Sequence, residues 1–219
     1  MRTAHSRRGL RDDRQLGYFM TATLRHDSNC VDVGAHRGAV LEQMVRLAPA
    51  GRHLAFEPIP TFCQTLCERF PKVEVHGCAL ADVDGETTFH VAENPELSGI
   101  QQREWLNTGY DSIEVPVRTL DSVVAADRQV DFLKIDVEGA QVLVLRGAER
   151  ILSTDRPAIW VEHGARSASA HGTESHELWE ILSLHGYRMW TADGEGPLDL
   201  PAFLSSGRDK PMWTFMAHR

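Results

Sequence analysis

Four short apolar runs in this chain carry an acid at or just past their end. Cys30-Val31-Asp32-Val33 runs into Gly34, and His53-Leu54-Ala55-Phe56 runs into Glu57-Pro58. Phe132-Leu133-Lys134-Ile135 runs into Asp136-Val137-Glu138-Gly139, and Ala158-Ile159-Trp160-Val161 into Glu162-His163-Gly164. Runs this short and this apolar are strands buried on both faces, and such strands belong to parallel sheets. The segments between them carry apolar residues at helical spacing, as Val40, Leu41, Met44, Val45 and Ala48 do before Pro49 and Gly51. Strands alternating with helices give a sheet with helices on both faces. In such a sheet ligands bind beyond the carboxyl ends of the strands, so four acids arriving at one edge describe a shared site.

The same reasoning sets the rest of the organisation. Residues 1–28 form an N-terminal segment, partly helical or frayed, and residues 29–219 form a single α/β domain. Around 85–118 the pattern changes to an antiparallel insertion: Gly85 turns, Thr87 to Val91 alternates, and Val115-Pro116-Val117 reads as a Pro-marked edge strand. Asn94 to Ser112 lacks periodicity and suits a loop over a site, as does Gly164 to Thr173. Two closing strands, near Tyr187 to Thr191 and Met212 to Ala217, have no helical pattern between them and are expected to pair antiparallel.

Composition narrows the partners. Lys and Arg number 23 against 31 Asp and Glu, a net charge of −8, so there is no basic field for nucleic acid. No stretch approaches the roughly 18 apolar residues of a membrane span. The cysteines Cys30, Cys63, Cys67 and Cys78 lack metal or disulfide spacing and read as reduced thiols of a cytoplasmic protein. The expected partner is a small-molecule acceptor, and a homodimer is compatible with the reading.

Asp32-x-Gly34-x-x-x-Gly38 departs from the dinucleotide fingerprint by placing an acid where its first glycine would stand. Glycines at 34 and 38 still let the backbone approach a ligand, but Asp32 repels a diphosphate and suits a cation. Glu57, at the next strand end, is placed to accept the hydroxyl protons of a ribose. Pro58 and Ile59 offer an apolar wall for a base. A ligand with a ribose diol, a positive charge and no phosphate fits S-adenosylmethionine.

Val31-Asp-Val-Gly-Ala-His-Arg-Gly38, Phe56-Glu-Pro58, Ala79-Leu-Ala-Asp82, Thr119-Leu-Asp121 and Phe132-Leu-Lys-Ile-Asp-Val-Glu-Gly-Ala140 together resemble the FkbM family of S-adenosylmethionine-dependent methyltransferases. The resemblance covers about residues 30–165 and implies the Rossmann-like class I sheet of seven strands. Six of these would be parallel, with one antiparallel strand in the last-but-one position. It implies O-methylation of a natural product or saccharide. It further implies Asp32, Gly34, Ala35 and Gly38 around the methionine part, Glu57 on the ribose, and Ala81 with Asp82 near the adenine. His36 stands where the family often has Asn.

Transfer to a hydroxyl also needs a proton acceptor. His163 is the expected base, with His36, Glu138 and Asp136 as alternatives, and Asp136 could instead orient the cofactor's amino group. Asp136 and Glu162 are an alternative divalent-metal pair, although a metal-free site is favoured. Lys134, unusual in a buried strand, is expected to reach a carboxylate such as Glu57 or Asp136. Two other readings stand beside the methyltransferase: an NAD-dependent oxidoreductase, disfavoured by the missing first glycine, and a non-catalytic adenosyl-binding module.

Overall fold

A computed structural model describes residues 4–103, 105, 108–206 and 213–219. Its central sheet has seven strands: β1 (Cys30–Val33), β2 (Leu54–Phe56), β3 (Glu74–His76), β7 (Phe132–Ile135), β8 (Ala158–His163), β9 (Arg188–Thr191) and β10 (Trp213–His218). They lie in the order β3-β2-β1-β7-β8-β10-β9. The first five are parallel, and β10, last but one, runs antiparallel to both β8 and β9.

Strand alternation divides the core in two. Val31, Val33, Leu133, Ile135, Ile159 and Val161 point to the face covered by α5 (Gln141–Arg146), α7 (Ser175–Leu184) and α8 (Leu200–Ser206). Cys30, Phe132 and Trp160 point to the other face, covered by α1 (Ala4–Thr23), α2 (Ala39–Leu47) and α3 (Pro60–Arg69). The N-terminal segment is packed there from Leu16 onward: Leu16 and Met20 are buried, and the Phe19 ring lies 5.8 Å from that of Phe132. Residues 1–3 fall outside the described residues. Among the described residues no helix is long and apolar enough to cross a membrane.

The antiparallel insertion is a second, three-stranded sheet of β4 (Ala79–Leu80), β6 (Tyr110–Arg118) and β5 (Gly85–Ala92), with β5 antiparallel to β6. Three local expectations are corrected. Pro116 does not mark an edge, because β6 is the central strand. Only Val117 and Arg118 pair with β4, so Pro116 lies beyond that pairing and is tolerated. The segment 164–173 contains a helix, α6 (Ala165–Ala170), and α8 lies between β9 and β10. Leu200 to Ser206 has only seven residues with Pro201 in its first turn, too short for a periodicity to stand out, and α8 is anchored mainly by the buried ring of Phe203.

Candidate active site

The first turn of the site is set by two close backbone approaches. Gly34 has φ 76°, and a Cβ there would stand 2.0 Å from the Asp136 carbonyl oxygen, so the loops after β1 and β7 touch only because residue 34 has no side chain. Gly38 has φ 81°, and a Cβ there would meet Leu66 and Phe70 of the α3 region at 2.7 Å. Glycine is needed there for packing rather than for a ligand.

Glu57 follows β2 and is 4% exposed. Its Oε2 accepts the His36 backbone N–H at 2.7 Å and its Oε1 accepts that of Ile59 at 2.9 Å. Two backbone donors thus hold the carboxylate at the sheet edge, while each oxygen keeps lone-pair capacity for a ligand hydroxyl. Burial pushes its pKa up, and these two N–H groups oppose the shift.

These loops open onto a cavity of about 510 Å³. Of the residues singled out in the sequence, Gly34, His36, Glu57, Pro58 and Ile59 line it on one side, and Asp136, Glu138 and Glu162 on the other. Segment 95–105 contributes Pro95, Ser98, Ile100, Arg103 and Trp105, which gives the loop expected over the site, and α6 adds Arg166. The Arg166 guanidinium lies 4.4 Å from the centroid of the Trp105 ring.

Several expected residues are elsewhere. Asp32 is fully buried behind the cavity, where its Oδ1 lies 3.1 Å from Lys134 Nζ. Lys134 also approaches Asp136 at 3.5 Å and donates to the Gly34 carbonyl at 2.6 Å, so it reaches Asp136 as expected, with Asp32 rather than Glu57 as its second carboxylate. Burial alone would lower the lysine's pKa, but Asp32 and Asp136 outweigh it and hold the ammonium charged. Ala35, Gly38, Ala81 and Asp82 do not line the cavity. On the side expected for adenine the lining residues are Cys78, Ala79 and Leu80, because β4 pairs with β6 and carries the chain away before Ala81.

His163 is the main correction. As the last residue of β8 it points opposite to Glu162, away from the cavity. Its Nε2 lies 2.8 Å from Ser175 Oγ, and its ring lies 6.2 Å from that of Phe203. Burial lowers its pKa to about 4, so it is packed as a neutral ring off the cavity wall.

The acids on the cavity wall behave differently. Glu138, at φ 53°, pairs with Arg103. Burial and Asp136 raise its pKa to about 7 against the pull of Arg103. Glu162 is raised to about 9, first by the charge of Asp136, then by burial and Glu138. Among the described residues no group of three His, Cys, Asp or Glu side chains is placed to hold a metal ion. The alternative pair of Asp136 and Glu162 supplies only two carboxylates, one of them already 3.5 Å from the Lys134 ammonium, a poor donor set for a divalent cation. Arg103 was missed from sequence because its segment was read for its small and aromatic residues alone, and Arg166 because Gly164 to Thr173 was read only as a loop. For Arg166 the available signal was an arginine in a stretch, Gly164 to Thr173, that holds no other Asp, Glu, Lys or Arg.

A sheet of this order, with an anchored acid after its second strand and a cavity at the carboxyl ends, defines the class I S-adenosylmethionine-dependent methyltransferase fold. Residues 32–189 match the Methyltransferase FkbM domain, and the chain belongs to that family. It is similar to the Methyltransferase FkbM structure from Methylobacillus flagellatus, with TM-score 0.59 and 20% identity over 92% of this chain and 46% of that one. It is also similar in fold to a TehB-like SAM-dependent methyltransferase from Corynebacterium glutamicum, with TM-score 0.51, 10% identity, and coverage of 94% and 87%. Among curated relatives, the AMB antimetabolite synthetase AmbE of Pseudomonas aeruginosa is 28% identical over 74% of this chain, which spans 10% of that protein. Methyltransferase 1 of Beauveria bassiana is 26% identical over 60% of this chain and 62% of its own length.

Proposed function

We propose that the chain methylates a hydroxyl group of a small natural product or saccharide, using S-adenosylmethionine. The observation that carries the reading is Glu57, a buried carboxylate held by two backbone N–H groups at the mouth of a cavity whose opposite wall carries three acids. The first suits a ribose diol and the second a positive charge. Bound there, the cofactor supplies an electrophilic methyl group. Gly34 lets its chain run against backbone, and Ile59 with Cys78 to Leu80 offers an apolar wall to the base. The cavity has the size of an ordinary small-molecule site, and the 95–105 loop with Trp105 and Arg166 borders the side left for an acceptor.

The transfer itself is an in-line displacement, to which the protein contributes mainly by positioning. Proton removal from the acceptor falls to the acids of the far wall, since His163 faces elsewhere. The same wall argues against a dinucleotide, because Asp136, Glu138 and Glu162 would face a diphosphate without a compensating glycine-rich turn. Calorimetry with S-adenosylhomocysteine and NADH tests the cofactor: the first binds and the second does not. Incubation with methyl-labelled cofactor and a metabolite extract tests the chemistry, with label expected in a base-stable ether. Binding of NADH but not of adenosylhomocysteine would refute the reading.

A further inference from the structure

Of the four strand-end acids that line the cavity, three have a counter-group inside the protein. Glu57 has the His36 and Ile59 N–H groups, Asp136 has Lys134, and Glu138 has Arg103. Glu162 lines the cavity, yet among the described residues no side chain hydrogen-bonds it and no cation lies within ion-pair distance. Strand register fixes this position. Ile135 pairs with Val161, which brings Asp136 and Glu162 out of neighbouring strands side by side. The groups that face Glu162 are Asp136 and Glu138 beyond β7, Lys134 of β7, and, most weakly, Asp12 of α1. Three of these four are acids.

We infer that Glu162 responds to the charge of the bound cofactor, standing ionised while a cation fills the cavity and protonated once that positive charge is gone. The missing counter-ion of Glu162 is then the ligand itself. The inference rests on the cofactor proposed above and assigns this residue a part in its chemistry. Without a cationic ligand, like charges and burial keep a proton on Glu162 at neutral pH. A cation in the cavity reverses that balance and expels the proton. Methyl transfer breaks one S–C bond, whose electron pair stays on sulfur, and forms one O–C bond, leaving the acceptor's O–H proton over. Glu162 regains its affinity for a proton as the positive charge disappears, and it receives this one. Proton uptake is thereby tied to the transfer, and the neutral product loses the attraction that held the cation.

Binding measurements test this without turnover. S-adenosylmethionine, its amine analogue sinefungin and S-adenosylhomocysteine are titrated into the full chain and into Glu162→Gln at pH 7.5, in buffers of different ionisation enthalpy. All three ligands share the adenosine and amino-acid groups, so the comparison isolates the central charge. The preference for S-adenosylmethionine over S-adenosylhomocysteine should be at least about fivefold greater in the wild type than in Glu162→Gln. The two cationic ligands should release about half to one more proton from the wild type than S-adenosylhomocysteine does, and this excess should vanish in the variant. Retained adenosylhomocysteine affinity shows that the variant is folded. If it does not fold, proton release from the wild type alone decides the matter. Equal preference in both proteins, or equal proton release by charged and neutral ligands, overturns the role of Glu162 while leaving the cofactor assignment standing. Failure of all three ligands to bind the wild type overturns both.

Discussion

Lys134 Nζ lies 3.1 Å from Asp32 Oδ1, between residues that are register partners on β7 and β1. The pair is sealed inside the sheet, with Asp32 at 0% exposure and Lys134 at 4%. Burying two charges is costly, and the pair is tolerated because Lys134 also serves Asp136 and the Gly34 carbonyl. It joins the two loops that form the floor of the cavity.

Removing one partner leaves the other charge buried alone. Asp32→Asn is expected to lower stability by roughly 3 kcal/mol, read as a lower urea midpoint at unchanged slope. An unchanged midpoint would show that the pair contributes nothing to the fold.

Glu57→Gln keeps the shape of the side chain but turns an amide N–H₂ toward one of two backbone donors. Adenosylhomocysteine affinity is expected to fall by about 10- to 100-fold with the fold intact, from the loss of a charge-assisted contact of roughly 1.5–3 kcal/mol. Calorimetry on a variant with wild-type circular dichroism checks it, and undiminished affinity would remove Glu57 from the ribose.

Gly34→Val combines a positive φ with a Cβ that would sit 2.0 Å from a backbone oxygen. The two loops must separate, so cofactor binding is expected to drop at least about 100-fold and thermal stability to fall, backbone strain alone costing about 1–3 kcal/mol. Gly38→Ala, whose clash is with side chains, should lose stability first and affinity less.

His163 is buried as a neutral ring, with its pKa lowered from 6.5 to about 4. The unfolded chain binds this proton more readily, so the contribution is complete above about pH 6.5 and is lost as pH falls toward 4, by roughly 3 kcal/mol. Glu138 and Glu162, raised by their surroundings, titrate in the opposite sense, so the informative quantity is the difference between wild type and His163→Phe. That difference should shrink or reverse on acidification, while methyl transfer by the variant stays within about threefold of wild type. A turnover loss of about 10² or more with cofactor binding intact would restore His163 as the base.

Local chemistry made much of this protein readable in one dimension. Short apolar runs bounded by turn residues read as strands buried on both faces, and a glycine after β1 announces its backbone need by type alone. The parallel core, the antiparallel insertion and the place of Glu57 at the sheet edge followed from that. The direction in which a strand-end side chain points did not, because successive residues alternate faces and a one-residue difference in where a strand ends inverts the assignment. His163 and Glu162 are adjacent in the chain and were equally eligible at the sheet edge. Only the pairing of β8 with β7 and β10 turns one toward Ser175 and the other toward the cavity. Likewise Asp32 reads as a ligand until Lys134, about a hundred residues away, is seen to occupy it. Arg103 meets Glu138 only because the insertion folds back over the sheet. Which acid keeps a partner and which is left for a ligand is a property of distances between strands, and no local pattern encodes them.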